Sequence, residues 1–168
     1  MISLIRLACL SDAPELAKLH VEAAGETLPV FTVEQRLELW HHLLGGGPRR
    51  IQTWVALDSL GTLLGFVSGG KARVCPPGLS DSDYGELSMI YVAPSVQKKG
   101  VGHVLFFKAL ECLAASGFPA AFARASKESA AFGFFIRLGG LIETHESETR
   151  VHWKNIKLAQ EAKADRLY

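Results

Sequence analysis

The chain has 168 residues, the length of one ordinary domain, and that suffices to bury a core without disulfide or metal staples. Hydrophobic residues make up 48% and charged residues 21%, which excludes a disordered, collagenous or coiled-coil chain. A formal net charge of +1 excludes the global basic field that drives nonspecific nucleic-acid binding, so any anion site must be local.

Residues 2–10 form a short apolar run that predicts a buried strand. Asp12, with Glu15 three residues on and Pro14 in the first turn, predicts a helix whose Leu16, Leu19 and Ala23 share a face. Residues 25–31 read as a loop. Thr32 and Gln35 then repeat the capping-box spacing, with Val33, Leu37, Trp40 and Leu44 as one stripe and Gly45 as the stop. The run Gly45-Gly-Gly-Pro-Arg-Arg50 reads as a flexible connector, or as a backbone nest for an anion; lacking GK[ST], it is not a Walker loop.

Residues 52–57 and 62–68 predict a hairpin turning at Asp58-Ser-Leu-Gly61. Beyond a stretch holding Pro76, Pro77 and Gly78, residues 86–92 predict a strand stopped by Pro94. Residues 100–116 predict a helix with Val101, Val104, Leu105, Ala109 and Cys112 on its apolar face and Gly117 as its cap. A buried strand at 120–125, a helix at 127–138 ended by Gly139-Gly140, and an antiparallel pair at 141–144 and 150–154 follow. Residues 1–155 read as a single domain and 156–168 as a polar helical or frayed tail. The order βααβββαβαββ predicts an α+β sheet with helices on both faces; GxGxxG is absent, against a Rossmann sheet.

Cys9, Cys75 and Cys112 are odd in number and scattered, without CxxC or paired-histidine spacing, so neither a metal site nor a disulfide framework is expected. The opening MISLIRLACLSDAPE lacks the layout of a secretory signal, and no stretch reaches the roughly 18 apolar residues of a membrane helix. A cytoplasmic protein with neither membrane nor nucleic-acid partner is the expectation. Arg49, Arg50, Lys98 and Lys99 have no interleaved aromatics of the kind single strands stack on.

The informative stretch is Glu86-Leu-Ser-Met-Ile-Tyr-Val-Ala-Pro-Ser-Val-Gln-Lys-Lys-Gly-Val-Gly102, a strand feeding a loop that opens a helix. Amides at a helix start and the positive end of its dipole attract phosphate, and glycines at 100 and 102 let oxygens approach the backbone. Lys98 and Lys99 add charge beside them. Taken alone, the same residues also describe a glycine-eased helix start with two solvated lysines.

Val92-Ala-Pro94 followed by Gln97-Lys-Lys-Gly-Val-Gly102 resembles the [QR]xxGx[GA] signature of the GCN5-related N-acetyltransferase (GNAT) family, and Ala131-Phe-Gly-Phe-Phe-Ile-Arg-Leu-Gly139 is similar to its AxxFYxxLG helix. With the opening Ile5-Arg6 strand and Asp12-Ala-Pro14, the likeness runs from about residue 2 to 154. It implies a mixed, mainly antiparallel sheet with helices on both faces, and acetyl-CoA as acyl donor, without a metal. Backbone groups of Ile90, Tyr91 and Val92 would pair with the pantetheine arm, and amides of Gln97, Lys98, Lys99, Gly100, Val101, Gly102 and His103 would hold the pyrophosphate. The resemblance also implies a notch between the strands at 86–92 and 120–125, lined by Phe132, Phe134 and Phe135, although packing in the core is an equal reading for Phe135 and the stronger one for Phe134.

Acetyl transfer to an amine needs a neutral nitrogen, a stabilised oxyanion and a departing thiolate. Backbone N–H groups near Val92 would serve the oxyanion. Glu86 matches a glutamate common in the family and reads either as general base, directly or through water, or as a salt-bridged or substrate-orienting carboxylate. Phe135 departs from the family's proton-donating tyrosine; Ser88, Tyr91 or water would substitute, and a thiol of pKa near 8.5 leaves tolerably unprotonated. The phenylalanine also keeps open a noncatalytic acyl-CoA-binding domain. His41, His42, His145 and His152 lack supporting carboxylate spacing. The resemblance places the acceptor, a small amine or peptide amino group, against the first two helices with their loop, which hold Glu22, Glu26, Glu34 and Glu38, and the final hairpin; Asp81 and Asp83 lie before the central strand, and such acids either attract a cation or form a solvated face. A homodimer remains open.

Overall fold

The computed structural model describes residues 1–24, 31–46, 51–72, 83–127, 129–145 and 148–164. Most of the loop at 25–31, the run at 47–50, the stretch with Pro76, Pro77 and Gly78, and also Glu26, Cys75 and Asp81, lie outside the described residues. The elements are β1 (Leu4–Leu7), α1 (Ala13–Ala24), α2 (Val33–Leu44), β2 (Ile51–Leu57), β3 (Leu63–Lys71), β4 (Tyr84–Val92), α3 (Val101–Ala115), β5 (Ala120–Arg124), α4 (Ala130–Arg137), β6 (Leu141–His145), β7 (Glu148–Trp153) and α5 (Ile156–Ala164). The seven strands form one sheet in the order β1-β2-β3-β4-β5-β7-β6. The pairs β1–β2, β5–β7 and β6–β7 are antiparallel and β4–β5 is parallel, as the single crossover through α3 requires. The expected α+β, mainly antiparallel sheet is what the chain folds into.

The backbone gathers into two compact units, Met1–Ser68 with Met89–Phe106, and Gly69–Ser88 with Phe107–Tyr168. In the first, Leu16, Ala17 and Leu19 of α1 pack with Trp40 and Leu44 of α2 and with Val55 and Phe66 of the hairpin. The capping box is as expected: Thr32 Oγ1 accepts from the Gln35 amide at 3.3 Å, and Gln35 Oε1 accepts from the Thr32 amide at 3.0 Å. Asp58 makes the hairpin turn by accepting the Leu60 and Thr62 amides at 2.9 and 2.8 Å.

Asp12 does not cap α1. Its carboxylate accepts from Nη1 and Nη2 of the Arg6 guanidinium, at 2.7 and 2.8 Å, and from the Cys9 amide at 2.8 Å. That fork holds Asp12 down at about 2, chiefly through the Arg6 hydrogen bond. β1 accordingly ends at Leu7, and Leu10–Asp12 form a 3-10 turn instead of extending the strand.

His20 on α1 is 2% exposed and stands among Trp40, Phe66 and Tyr91, with ring centroids 5.9, 5.7 and 4.6 Å away. Its Nδ1 meets no hydrogen-bond partner among the described residues. Burial, helped by the nearby charge of Arg36, lowers its pKa from 6.5 to about 4. The native state thus favours neutral imidazole. Its contribution is fully present above pH 6.5 and is lost as the unfolded chain takes up a proton between pH 6.5 and 4, a span of ~3 kcal/mol at most. Urea denaturation at pH 7.5 and 5 should show a drop that His20→Leu largely removes; an equal drop in the variant would refute this.

In the second unit, Leu110 and Leu113 of α3, Phe122 of β5, Phe135 of α4, Val151 and Trp153 of β7 and Ile156 of α5 are buried. α4 begins at Ala130, three residues later than expected, because the Ser129 hydroxyl accepts the Phe132 amide at 3.2 Å with Ser129 itself extended. The expected closing pair is β6–β7, with Glu143 opposite Arg150. Residues 156–164 form α5, whose Ile156 is 1% exposed and donates its amide to Pro119 O at 2.9 Å.

Candidate active site

β4 carries the expected strand residues, and its ladder with β5 covers Tyr84↔Ala120, Gly85↔Ala121 and Glu86↔Phe122.

In the first unit, β4 ends at Val92 and the chain turns through a 3-10 segment, Pro94–Val96, before α3 begins at Val101. Ala93 anchors the turn by donating to Leu64 O at 2.9 Å. Gln97 Nε2 reaches back to Val92 O at 3.1 Å, and Lys99 Nζ bonds Ser95 O at 3.0 Å. Lys98 and Gly100 both take left-handed backbone conformations, φ 59° and 86°. Alternating hand of this kind turns successive amides inward as an anion-binding concavity, and a Cβ at Gly100 would meet nothing within 4 Å. Residues 97–100 are exposed, Val101 is buried, and Gly102 and His103 are half-buried. First-turn amides have no helical carbonyl behind them. The loop is therefore an open, amide-lined and lysine-flanked start to a helix, and it suits a diphosphate.

Ile90, Tyr91 and Val92 are half-buried. The Tyr91 ring packs 5.4 Å from Phe66 and 4.6 Å from His20, and burial pushes its hydroxyl pKa up. The Tyr91 carbonyl lies 2.7 Å from where a Cβ on Gly65 would stand, with Leu105 Cδ1 at 3.0 Å. Gly65→Ala is expected to cost ~1–3 kcal/mol and to weaken coenzyme A binding, because the new methyl pushes on the backbone of Tyr91 and Val92. Thermal melts and calorimetry check both; a variant with wild-type stability and affinity would show that the close approach is not needed.

In the second unit, Glu86 is ion-paired with Arg124 on β5, with side chains 13% and 36% exposed. Of the two sequence readings of this carboxylate, the resting geometry is the salt-bridged one. Ser88, two residues on, has a buried hydroxyl with no partner among the described residues. Phe135 is 2% exposed and meets the Trp153 ring edge-on at 5.5 Å, so it is a core residue of this unit. Phe132 and Phe134 are half-buried. His41 and His42 are exposed, as are Glu34 and Glu38 on α2 and Glu22 on α1. Among the described residues no group of three His, Cys, Asp or Glu is placed to hold a metal ion, and no helix is long and apolar enough to cross a membrane.

Arg124 is the partner of Glu86 that the sequence reading missed. The signal was present: a lone charge ends the buried run Ala-Ala-Phe-Ala-Arg124, and a strand parallel to the one bearing Glu86 can match it.

The family model described as Acetyltransferase (GNAT) family matches residues 14–139, three quarters of the chain, and the chain belongs to that family. Solved structures share the fold. PaiA N-acetyltransferase from Thermoplasma acidophilum, in complex with coenzyme A, is 19% identical with a TM-score of 0.67, over 89% of this chain and 96% of that one. A phosphinothricin acetyltransferase from Sinorhizobium meliloti, in complex with AcCoA, is 16% identical with a TM-score of 0.68, over 91% and 88%. Ribosomal-protein-alanine N-acetyltransferase from Brucella melitensis is 20% identical with a TM-score of 0.66, over 89% and 97%. No curated protein matches the sequence.

Proposed function

We propose that the chain is an N-acetyltransferase that moves the acetyl group of acetyl-CoA onto a primary amine by direct attack in a ternary complex. The observation that carries this reading is the left-handed Lys98 and Gly100 loop opening α3 where β4 ends. Its open Cβ position at Gly100 and its first-turn amides fit a diphosphate. Gln97, Lys98, Lys99, Gly100, Val101, Gly102 and His103 would hold that group, while Ile90, Tyr91 and Val92 offer backbone for the pantetheine arm to lie along as an added strand. Two neighbours solved with coenzyme A or AcCoA support the donor.

Acetyl-CoA supplies a thioester, activated because its thiol is a competent leaving group. Glu86 orients the amine and receives the proton that nitrogen sheds as its bond to the acetyl carbon forms, when that nitrogen has become strongly acidic. Backbone N–H groups near Val92 stabilise the charge that develops on the carbonyl oxygen. The Ser88 hydroxyl, buried without a partner among the described residues, donates toward the departing sulfur, a task the Phe135 ring cannot perform. Cys112, half-buried on α3 with its thiol pKa raised chiefly by burial, is a poor nucleophile for a covalent route.

Thiol release from acetyl-CoA across a panel of amines tests the reading: release dependent on acceptor, with acetylated amine as product, is expected. A domain that binds coenzyme A but releases no thiol with any amine would instead be the noncatalytic acyl-CoA-binding form that Phe135 keeps in view.

A further inference from the structure

In the first unit, the turn that joins β4 to α3 gives each of four successive carbonyls a donor. Ala93 O accepts the Val96 amide at 2.9 Å, and Pro94 O accepts the Gln97 amide at 3.4 Å. The carbonyls on either side of that pair accept from side chains instead: Val92 O from Gln97 Nε2 at 3.1 Å, and Ser95 O from Lys99 Nζ at 3.0 Å. Val92 O and the Ala93 N–H belong to one planar peptide and point opposite ways. Because that N–H bonds Leu64 O on β3, Val92 O faces the other edge of β4, where the Gln97 side chain caps it. The left-handed residues Lys98 and Gly100 follow at once, and Gly100 O accepts the Val104 amide at 3.1 Å as α3 begins.

We propose that Gln97 and Lys99 are positioning residues for the donor, whose side chains brace this turn from its carbonyl side and hold it ready for the diphosphate before coenzyme A arrives. The proposal rests on the reading above in which the turn binds that group. A concavity of amides serves an anion only while carbonyl oxygens, the negative ends of the same peptide dipoles, are kept out of it. Donors from Val96, Gln97 and Lys99 hold the oxygens of residues 92–95 away. A loop already fixed in its bound shape then takes the ligand without the entropy cost of ordering. Gln97 also ties the end of the β4 edge offered to the pantetheine arm to the start of the diphosphate loop. The two lysines differ accordingly. Lys99 acts through its contact with Ser95 O, while Lys98, which makes no such carbonyl bond among the described residues, acts through its charge.

Calorimetric titration of the whole protein with coenzyme A tests this, in dilute buffer and in about 1 M salt, where screening shortens the reach of a charge to about 3 Å. Gln97→Met, similar in length but without a donor, should bind about 5-fold more weakly, the scale of one net hydrogen bond. Gln97→Arg again presents N–H groups to Val92 O and should regain most of that loss. The deficit of Lys98→Met should shrink with salt, whereas Lys99→Met should keep a deficit of about 5-fold because a contact is lost. All three positions are exposed, so thermal melts close to wild type are expected. Wild-type affinity in Gln97→Met, a Gln97→Arg no tighter than Gln97→Met, or deficits at the two lysines that fade equally with salt overturns the brace and leaves diphosphate binding at this turn standing. No heat with coenzyme A in the wild type overturns both. If the variant at one of the two bracing positions does not fold, the other decides.

Discussion

Gly102→Asp is expected to weaken coenzyme A binding by about 100-fold while the protein melts at the same temperature or slightly higher. The two effects have opposite signs for one reason. An acidic side chain in the first turn of α3 complements the helix dipole by a few tenths of a kcal/mol and replaces a glycine, a poor helix former. The same carboxylate stands where the diphosphate has to sit, and like unit charges about 4 Å apart repel by about 4 kcal/mol at an effective dielectric of about 20. Salt and relaxation return part of that, leaving roughly the 2.7 kcal/mol that corresponds to 100-fold. Calorimetric titration with coenzyme A beside a thermal melt measures both. Wild-type affinity in a folded variant would move the anion site away from this turn.

Glu86→Gln should lower kcat by about 100-fold, the usual worth of a positioned proton acceptor, with coenzyme A affinity close to wild type. The amide keeps the shape and still accepts a hydrogen bond from Arg124, so a fold defect is not the expected cause of the loss. It has neither the charge to orient the amine as the carboxylate does nor the basicity to take the proton that the nitrogen sheds as its new bond forms. Steady-state kinetics with a saturating amine separate the cases: a rise in KM alone would make Glu86 a binding residue, and unchanged kcat would remove it from the proton path.

The elements with their own local chemistry were legible in the sequence. Thr32 with Gln35, Asp58 in its hairpin turn and Gly117 with φ 91° each mark a boundary through hydrogen bonds or backbone freedom local to the chain. The turn that opens α3 was legible for the same reason, since glycine and lysine spacing at the start of a helix is local information. Asp12 was misread because its partner Arg6 lies on the preceding strand and outcompetes the helix amides for its oxygens. The start of α4 was set too early because Ser129 was not recognised as its cap. The partner of Glu86 depended on which strand lies beside β4 and in what register, and the charged row Arg124, Arg150, Glu143 exists only once β5, β7 and β6 are aligned. Charge patterning across a sheet is tertiary information, while the buried neutrality of His20 follows from the aromatic rings of α2, β3 and β4 around it.

The most direct measurement is amide hydrogen exchange across residues 90–103 with and without coenzyme A. The account predicts slowed exchange at 98–103, where the loop becomes α3, and along 90–92. Unchanged exchange there, with protection arising in another part of the chain on saturating cofactor, would contradict it.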